Sequence, residues 1–297
     1  MKSIIVLGAT GLLGQSIITR ALHTGHQIYG VASKNSDFNL DVRDINALQT
    51  LIYEIKPDIV VNCIANVNLA ECEQNPEDAY VVNARPAALL SRLANVMGFK
   101  SIFVSTDHYY CGDGRKLHVE SEPVTLVNEY ARTKYAGECF ASLNTSSLIL
   151  RTNIVGHRWR NGAPTFAEWA IGALENRQKL TLFDDVFSSP IHVDAFSKIL
   201  FDLINLNVSG IINLASRDVS SKKEFIESLA SQLDIELDWA NTGSGKSLIP
   251  VRADSMGLSV EKIEKIVGYN MPSLLDTVNA LAIEHKQGKR VGLYANH

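Results

Sequence analysis

The chain begins with a short run rich in isoleucine and valine, Ser3 to Leu7. It passes directly into Gly8-Ala-Thr-Gly11-Leu-Leu-Gly14 and then into a helical pattern from Leu13 to His23. Successive apolar residues mark a strand buried on both faces. A strand that turns on glycine into a helix leaves few folds open. The helix N-terminus offers free N–H groups to an anion, and glycines let the backbone approach it closely. The expected fold is therefore α/β, a doubly wound parallel sheet (Rossmann), with a dinucleotide pyrophosphate over Gly8, Thr10, Gly11, Leu12, Leu13 and Gly14. A turn that needs glycine only for its own shape is the plainer reading, and the position between strand and helix argues against it.

Later segments repeat the strand-to-edge pattern. Gln27 to Ala32 is a second strand ending in Ser33-Lys34. An NAD site usually has an acid here for the ribose hydroxyls, and none is present. Ser33 and Lys34 suit a 2′-phosphate, which favours NADP(H) over NAD(H), although a solvated loop fits the same two residues. Asp41 is placed to reach adenine, and Asp44 to cap a helix from Ile45 to Glu54. A third buried strand ends at Cys63, Ile64 and Ala65, which join the cofactor set, Ala65 being small enough for a ribose to lie close. Asn66 to Glu73 reads as a polar loop. Asn75-Pro76-Glu77 opens one long helix to about Met97, with Asn83 inside it tying the helix to a neighbouring strand.

Ser101 to Val104 is another such strand, ending in Ser105-Thr106-Asp107. A helix read from Asn128 to Phe140 carries Tyr130 and Lys134 four residues apart. Residues at i and i+4 share a face, so one atom can meet Tyr130 while Lys134 lies beneath. A nearby cation favours the phenolate, and bringing a tyrosine from its reference near 10 to neutrality takes roughly 4 kcal/mol, which a close, partly desolvated cation can supply together with a cofactor's charge. Tyr130 then becomes a usable proton donor, and Thr106 at the strand end can hydrogen-bond the carbonyl oxygen that it protonates, although Ser105 and Thr106 also fit simple turn residues. The same spacing also occurs on ordinary exposed helices. The loop from His108 to Val127 suits a flap over a site.

Composition narrows the class. A chain of 297 residues with 46% apolar and 20% charged residues can bury a large core. Its formal net charge of −4 gives no reason to expect nucleic acid. Cys63, Cys72, Cys111 and Cys139 have no CxxC spacing, so reduced thiols and no metal are expected. The start of the chain lacks the ordered regions of a signal peptide and no run approaches a membrane span, which together suggest a cytoplasmic protein.

The second half is less regular. Arg158 and Arg160 with Trp159 could grip a diphosphate and stack on a base, or form a solvated basic turn. Asp194 is read as the cap of a helix from Ala195, Ser221 and Glu224 as a capping box, and Asn241 to Ser247 as a flexible linker. Closing helices run from Leu258 to Ile266 and from Leu274 to Ile283, and the tail from Lys286 to His297 is read as mobile or a partner contact. The division expected is 1–153 for the dinucleotide, with 192–215 returning to it, and 154–191 plus 216–297 as a smaller substrate lobe over the carboxyl edge.

Gly8 to Gly14, Val61 to Ala65, Glu71 to Asn83, Val104 to Asp107, Tyr130 to Glu138 and Leu150-Arg-Thr152 together resemble successive signatures of the dTDP-4-dehydrorhamnose reductase family of extended short-chain dehydrogenases/reductases. The resemblance continues through Ser189-Pro190 to Pro272. It implies an NAD(P)H-dependent reductase of a nucleotide-activated 4-keto-deoxysugar, and it allows a homodimer. Thr106, Tyr130 and Lys134 would be its catalytic trio, and Val67, Asp107 and His108 its sugar contacts. Asn68, His108 and Ile154 depart from the family's usual Asp, Tyr and aromatic, which puts the rhamnose precursor in doubt as substrate. Related dehydratases follow Thr-Asp with Glu, where this chain has His108. Two other expectations stay open: a non-catalytic NADP-binding subunit similar to the regulatory subunit of methionine adenosyltransferase, and a nucleotide-sugar epimerase.

Overall fold

The structure, a computed structural model, describes residues 1–158 and 163–290. The chain divides into two compact units. The first is Met1–Tyr109, Leu126–Arg151 and Ser197–Ile212; the second is Tyr110–Thr125, Thr152–Phe196 and Asn213–His297.

The first unit is built on strands β1 (Ser3–Leu7), β2 (Gln27–Ala32), β3 (Phe38–Asn39), β4 (Ile59–Asn62), β5 (Lys100–Val104) and β6 (Leu148–Arg151). With Gly210–Asn213 they form a seven-stranded sheet in the order Gly210–Asn213, β6, β5, β4, β1, β2, β3. β1 pairs in parallel with both β2 and β4, so Leu7 lies opposite Val31 on one side and Asn62 on the other. The strand order reverses here, which makes the carboxyl ends of β1 and β4 the switch point where open α/β sheets bind ligands. Ile4, Ile5, Val6 and Leu7 are fully buried, as are Val60 and Val61. Their burial stabilises the sheet by about 1.5–3 kcal/mol per side chain.

Helices α1 (Leu12–Ala21), α2 (Ile45–Ile55), α3 (Leu69–Gln74), α4 (Pro76–Asn83), α5 (Arg85–Met97) and α6 (Glu129–Ala141) flank this sheet. Leu48 and Ile52 of α2 and Leu90 and Leu93 of α5 pack with Ile5, Leu7 and Val60. Asp44 caps α2 by accepting from Ala47 N–H, as expected.

Three sequence expectations fail in this unit. The polar stretch before Asn75 contains α3, capped by Asn68 and burying only Cys72. The long helix to Met97 is two helices, broken at Ala84 because Pro86 in the first turn of α5 has no N–H to continue the ladder. Asn83 ties α4 to the Asn66 backbone and to Thr133 of α6, not to a strand.

In the second unit, helices Phe166–Glu175, Lys222–Gln232 and Leu274–Arg290 enclose an apolar cluster around Leu174, Phe225, Leu229, Val278 and Leu281. Thr165–Glu168 and Ser221–Glu224 both form capping boxes. The segment read as a linker contains strand Asn241–Gly243, paired in parallel with Thr181–Phe183. Helix Val193–Asn205 starts before Asp194, which lies in its first turn instead of capping it. The helix read from Leu258 is Glu261–Val267, and the closing helix continues to Arg290, so Lys286 is helical. Residues 291–297 and the Trp159-Arg160 part of the diphosphate reading lie outside the described residues.

Candidate active site

Gly8 turns the end of β1 with φ +83°, a conformation open to glycine, and its N–H and that of Ala9 donate to Val31 O at 2.9 and 3.1 Å. A Cβ on Gly14 would stand 2.2 Å from Gly8 O and 2.8 Å from Ala9 Cα, so the helix can start this close to the strand only with glycine there. Gly11 caps α1 without any side-chain hydrogen bond, whereas α2 and α6 have Asp44 and Asn128 as side-chain caps. Amides left without a cap at a helix start suit an anion. The glycine turn therefore fits a dinucleotide pyrophosphate.

The rest of the cofactor set is dispersed over the same unit. Ser33 and Lys34 are exposed beyond β2. Asp41 is ion-paired with Arg43 at 3.1 Å, and Arg43 also holds Asp78 at 2.8 Å. Cys63, Ile64 and Ala65 follow β4, and a Cβ on Gly8 would lie 3.3 Å from the backbone of Cys63 and Ile64. Burial pushes the Cys63 thiol up to about 12 against the opposing charge of Lys134, so it stays protonated.

The trio assembles around α6, where Asn128 accepts from Ala131 N–H at 2.8 Å and fixes the first turn. Tyr130, Thr133, Lys134, Gly137 and Glu138 form the buried face. A Cβ on Gly137 would come 2.5 Å from the Phe103 ring and 2.9 Å from Asn83 O, so the missing side chain allows α6 to approach β5 and the end of α4. Tyr130 packs with Cys72 and Ala79, side chains from α3 and α4. Lys134, 2% exposed, donates to Val104 O at 2.7 Å, and its ammonium lies 4.3 Å over the Phe103 ring. Burial pulls it from its ordinary 10.5 to about 8, against the opposing pull of Glu138 and Cys63.

Tyr130 is buried as well. Burial drives its phenol well above the usual value; a hydrogen bond with Thr106 works against this, and Asp107 and Cys72 add to the rise. Lys134 is not among the causes. Burial thus favours the protonated phenol. Thr106 lies 3.4 Å from Asp107 Oδ1 and accepts from His108 N–H at 3.2 Å. The His108 ring meets Tyr130 edge-on at 5.4 Å. Val67 is 68% exposed, while Asp107 is buried. Arg158 belongs to the second unit, where its N–H donates to Glu168 and its guanidinium to Ala163 O.

Several supporting residues went unassigned in the sequence. Arg151 and Glu138 form a buried ion pair at 2.9 Å, with Arg151 5.2 Å over the Tyr109 ring. Tyr109 shares a 2.8 Å hydrogen bond with Ser105. Glu138, four residues beyond Lys134, continues the face of Tyr130, and this periodicity was the available signal.

Residues 1–282 match the RmlD substrate binding domain family. The chain belongs to this family. It is 27% identical over 287 residues to the probable low-salt glycan biosynthesis reductase Agl14 of Haloferax volcanii, covering 93% of this chain and 96% of that one. Against the dTDP-4-dehydrorhamnose reductase of Escherichia coli it is 28% identical over 189 residues, 63% of this chain and 62% of that one. A dTDP-4-dehydrorhamnose reductase from Bacillus anthracis, solved in complex with NADP, superposes with a TM-score of 0.85 at 24% identity, over 95% of this chain and 99% of that one. That last likeness concerns the fold, and it agrees with the Rossmann sheet expected from the opening turn.

Proposed function

We propose that the chain reduces the keto group of a nucleotide-activated 4-keto-deoxysugar, drawing on NADP(H), with NAD(H) as the weaker alternative. The observation that carries this reading is a buried Tyr130, whose phenol interacts with Thr106 and which lies one helical turn from a buried Lys134, in the unit that contains the glycine turn. The relatives, reductases of keto sugars or of glycan biosynthesis by name, point the same way.

The cofactor would be held by Gly8, Thr10, Gly11, Leu12, Leu13 and Gly14 at the pyrophosphate, Ser33 and Lys34 at the 2′-phosphate, Asp41 at adenine, and Cys63, Ile64, Ala65 and Lys134 toward the nicotinamide ribose. Bound there, it supplies the hydride. Tyr130 keeps its proton until negative charge develops on the substrate oxygen and then donates it. Thr106 donates to the same oxygen and orients it. Lys134 uses one of its three donors on Val104 O, leaving two for ribose hydroxyls. Val67, Asp107 and His108 would contact the sugar, and Arg158 the diphosphate. A homodimer and a cytoplasmic location remain part of the proposal; no helix among the described residues is long and apolar enough to cross a membrane.

The test is a panel of nucleotide 4-keto sugars offered with NADPH or NADH, followed by loss of the reduced cofactor's absorbance. Oxidation of NADPH that depends on a keto sugar is expected. Tight cofactor binding with no oxidation by any member would instead indicate a non-catalytic NADP-binding protein.

A further inference from the structure

Apart from the trio, the second unit contains a group of donors that the reductase reading does not use. Asp113, His118 and Glu122 bring one ring nitrogen and two carboxylate oxygens within 4.8 Å of one another. We propose that they form a binding site for a divalent transition-metal ion of the zinc type, with His118 as the nitrogen ligand and Asp113 and Glu122 as the oxygen ligands.

Two observations carry this. The first is the state of His118. Its ring is fully buried, yet neither nitrogen makes a hydrogen bond; Nδ1 is 3.2 Å from Glu122 Oε2 and Nε2 3.9 Å from Asp113 Oδ2. A buried imidazole ordinarily has its nitrogens satisfied. A single ion takes one of the two nitrogens, and Nδ1, the one nearer a carboxylate, is the ligand.

The second is the rigidity of the frame. The Tyr110 ring stacks on His118 at 3.8 Å and 2°, so the nitrogens are aimed in a fixed plane. His118 N–H donates to Gly257 O, and His118 O accepts from Ser259 N–H and Asn213 Nδ2, all at 2.9 Å. Ser255 Oγ accepts from the N–H groups of Asp113 and Gly114 at 2.9 and 2.8 Å. Ligands fixed in advance lose little freedom when an ion arrives.

Lys116 is the cation now at this place. Its ammonium bonds Glu122 and stands 3.7 Å from Asp113 Oδ2, and its side chain is 47% exposed. A metal ion would displace it into solvent. One imidazole with two carboxylates favours zinc over magnesium, which prefers oxygen alone and keeps its waters.

The experiment is a Zn²⁺ titration of the full chain without an affinity tag, by calorimetry and thermal melting, with Mg²⁺ as control. One Zn²⁺ per chain is expected, with Tm raised by about 2–4 °C. His118→Asn and Asp113→Asn should each weaken binding by about tenfold or more, and Lys116→Met should tighten it. Cys111→Ser, which removes the loop's thiol, should change nothing. If His118→Asn fails to fold, the exposed Asp113→Asn decides. Equal affinity in Asp113→Asn and the unaltered chain, loss of binding in Cys111→Ser, weaker binding in Lys116→Met, or no stoichiometric Zn²⁺ would each overturn the proposal. The site is independent of the reductase reading, and the readouts do not use activity.

Discussion

Each unit contains a charge out of water, and the two are treated differently. In the second, Glu284 Oε2 accepts from both His157 Nδ1 at 2.8 Å and His192 Nε2 at 3.1 Å. Burial alone would raise this carboxyl, but the two imidazoles hold it down at about 2. In the first, Lys134 has one carbonyl and the face of a phenyl ring as its nearest support, and burial drags it down to about 8. The well-compensated charge is structural. The poorly compensated one stands beside Tyr130 and Thr106, where an incoming cofactor can supply what the fold withholds. Glu138, paired with Arg151, offsets only part of the cost of burying Lys134.

The contrast can be broken by substitution. Tyr130→Phe removes the proton donor and should lower kcat by about 10²–10⁴-fold with cofactor affinity within a few-fold; steady-state kinetics beside a cofactor titration checks both. Lys134→Met should lower kcat by about tenfold or more and also make the protein more stable, by about 1–3 kcal/mol in denaturant unfolding, because an incompletely compensated buried charge is removed. Glu284→Gln should do the reverse, losing about 1–3 kcal/mol of stability while kcat stays unchanged. A Lys134→Met protein that is less stable, or a Glu284→Gln protein as stable as the parent, would erase the distinction.

Two smaller effects sharpen it. Glu284 binds fewer protons folded than unfolded between its ordinary 4.5 and about 2, so its contribution is present above 4.5 and is lost as pH falls toward 2. Lys134 also binds fewer protons folded than unfolded, between about 8 and 10.5, so the cost of burying it is present below 8 and relieved as pH rises through that window. Unfolding free energies of the parent and the two variants across pH should show each slope disappear with its residue. Lys34→Ala, at an exposed position, should reduce the preference for NADPH over NADH by roughly three- to tenfold, read from the ratio of KM values.

The opening turn was legible because its glycines are required by backbone geometry: a positive φ at Gly8 and a 2.2 Å approach at Gly14. The later glycines of Asn241 to Ser247 carried no such signal. They make room for side chains of another segment, since a Cβ on Gly243 would lie 2.4 Å from Thr181 Cγ2 and one on Gly245 2.5 Å from Val186 Cγ2. That is packing across the chain, and the first three residues of the segment form a strand. Helix α3 was hidden for a related reason, because only Cys72 is buried among polar residues and the periodic stripe never forms. At the site, spacing revealed Tyr130 and Lys134 and strand position revealed Thr106. Periodicity put Glu138 on the face of Tyr130, but nothing local told Arg151 from a solvated charge, and their 2.9 Å pairing in the fold does so.

The most direct measurement of the central claim is isotope transfer. A nucleotide 4-keto sugar is turned over with NADPH carrying deuterium at the transferable position of its nicotinamide, and the product is read by mass spectrometry. The account predicts one deuterium on the new carbinol carbon with the parent protein and almost none with Tyr130→Phe under the same conditions. Label that stays on the cofactor with the parent protein, or equal transfer by both, would contradict it.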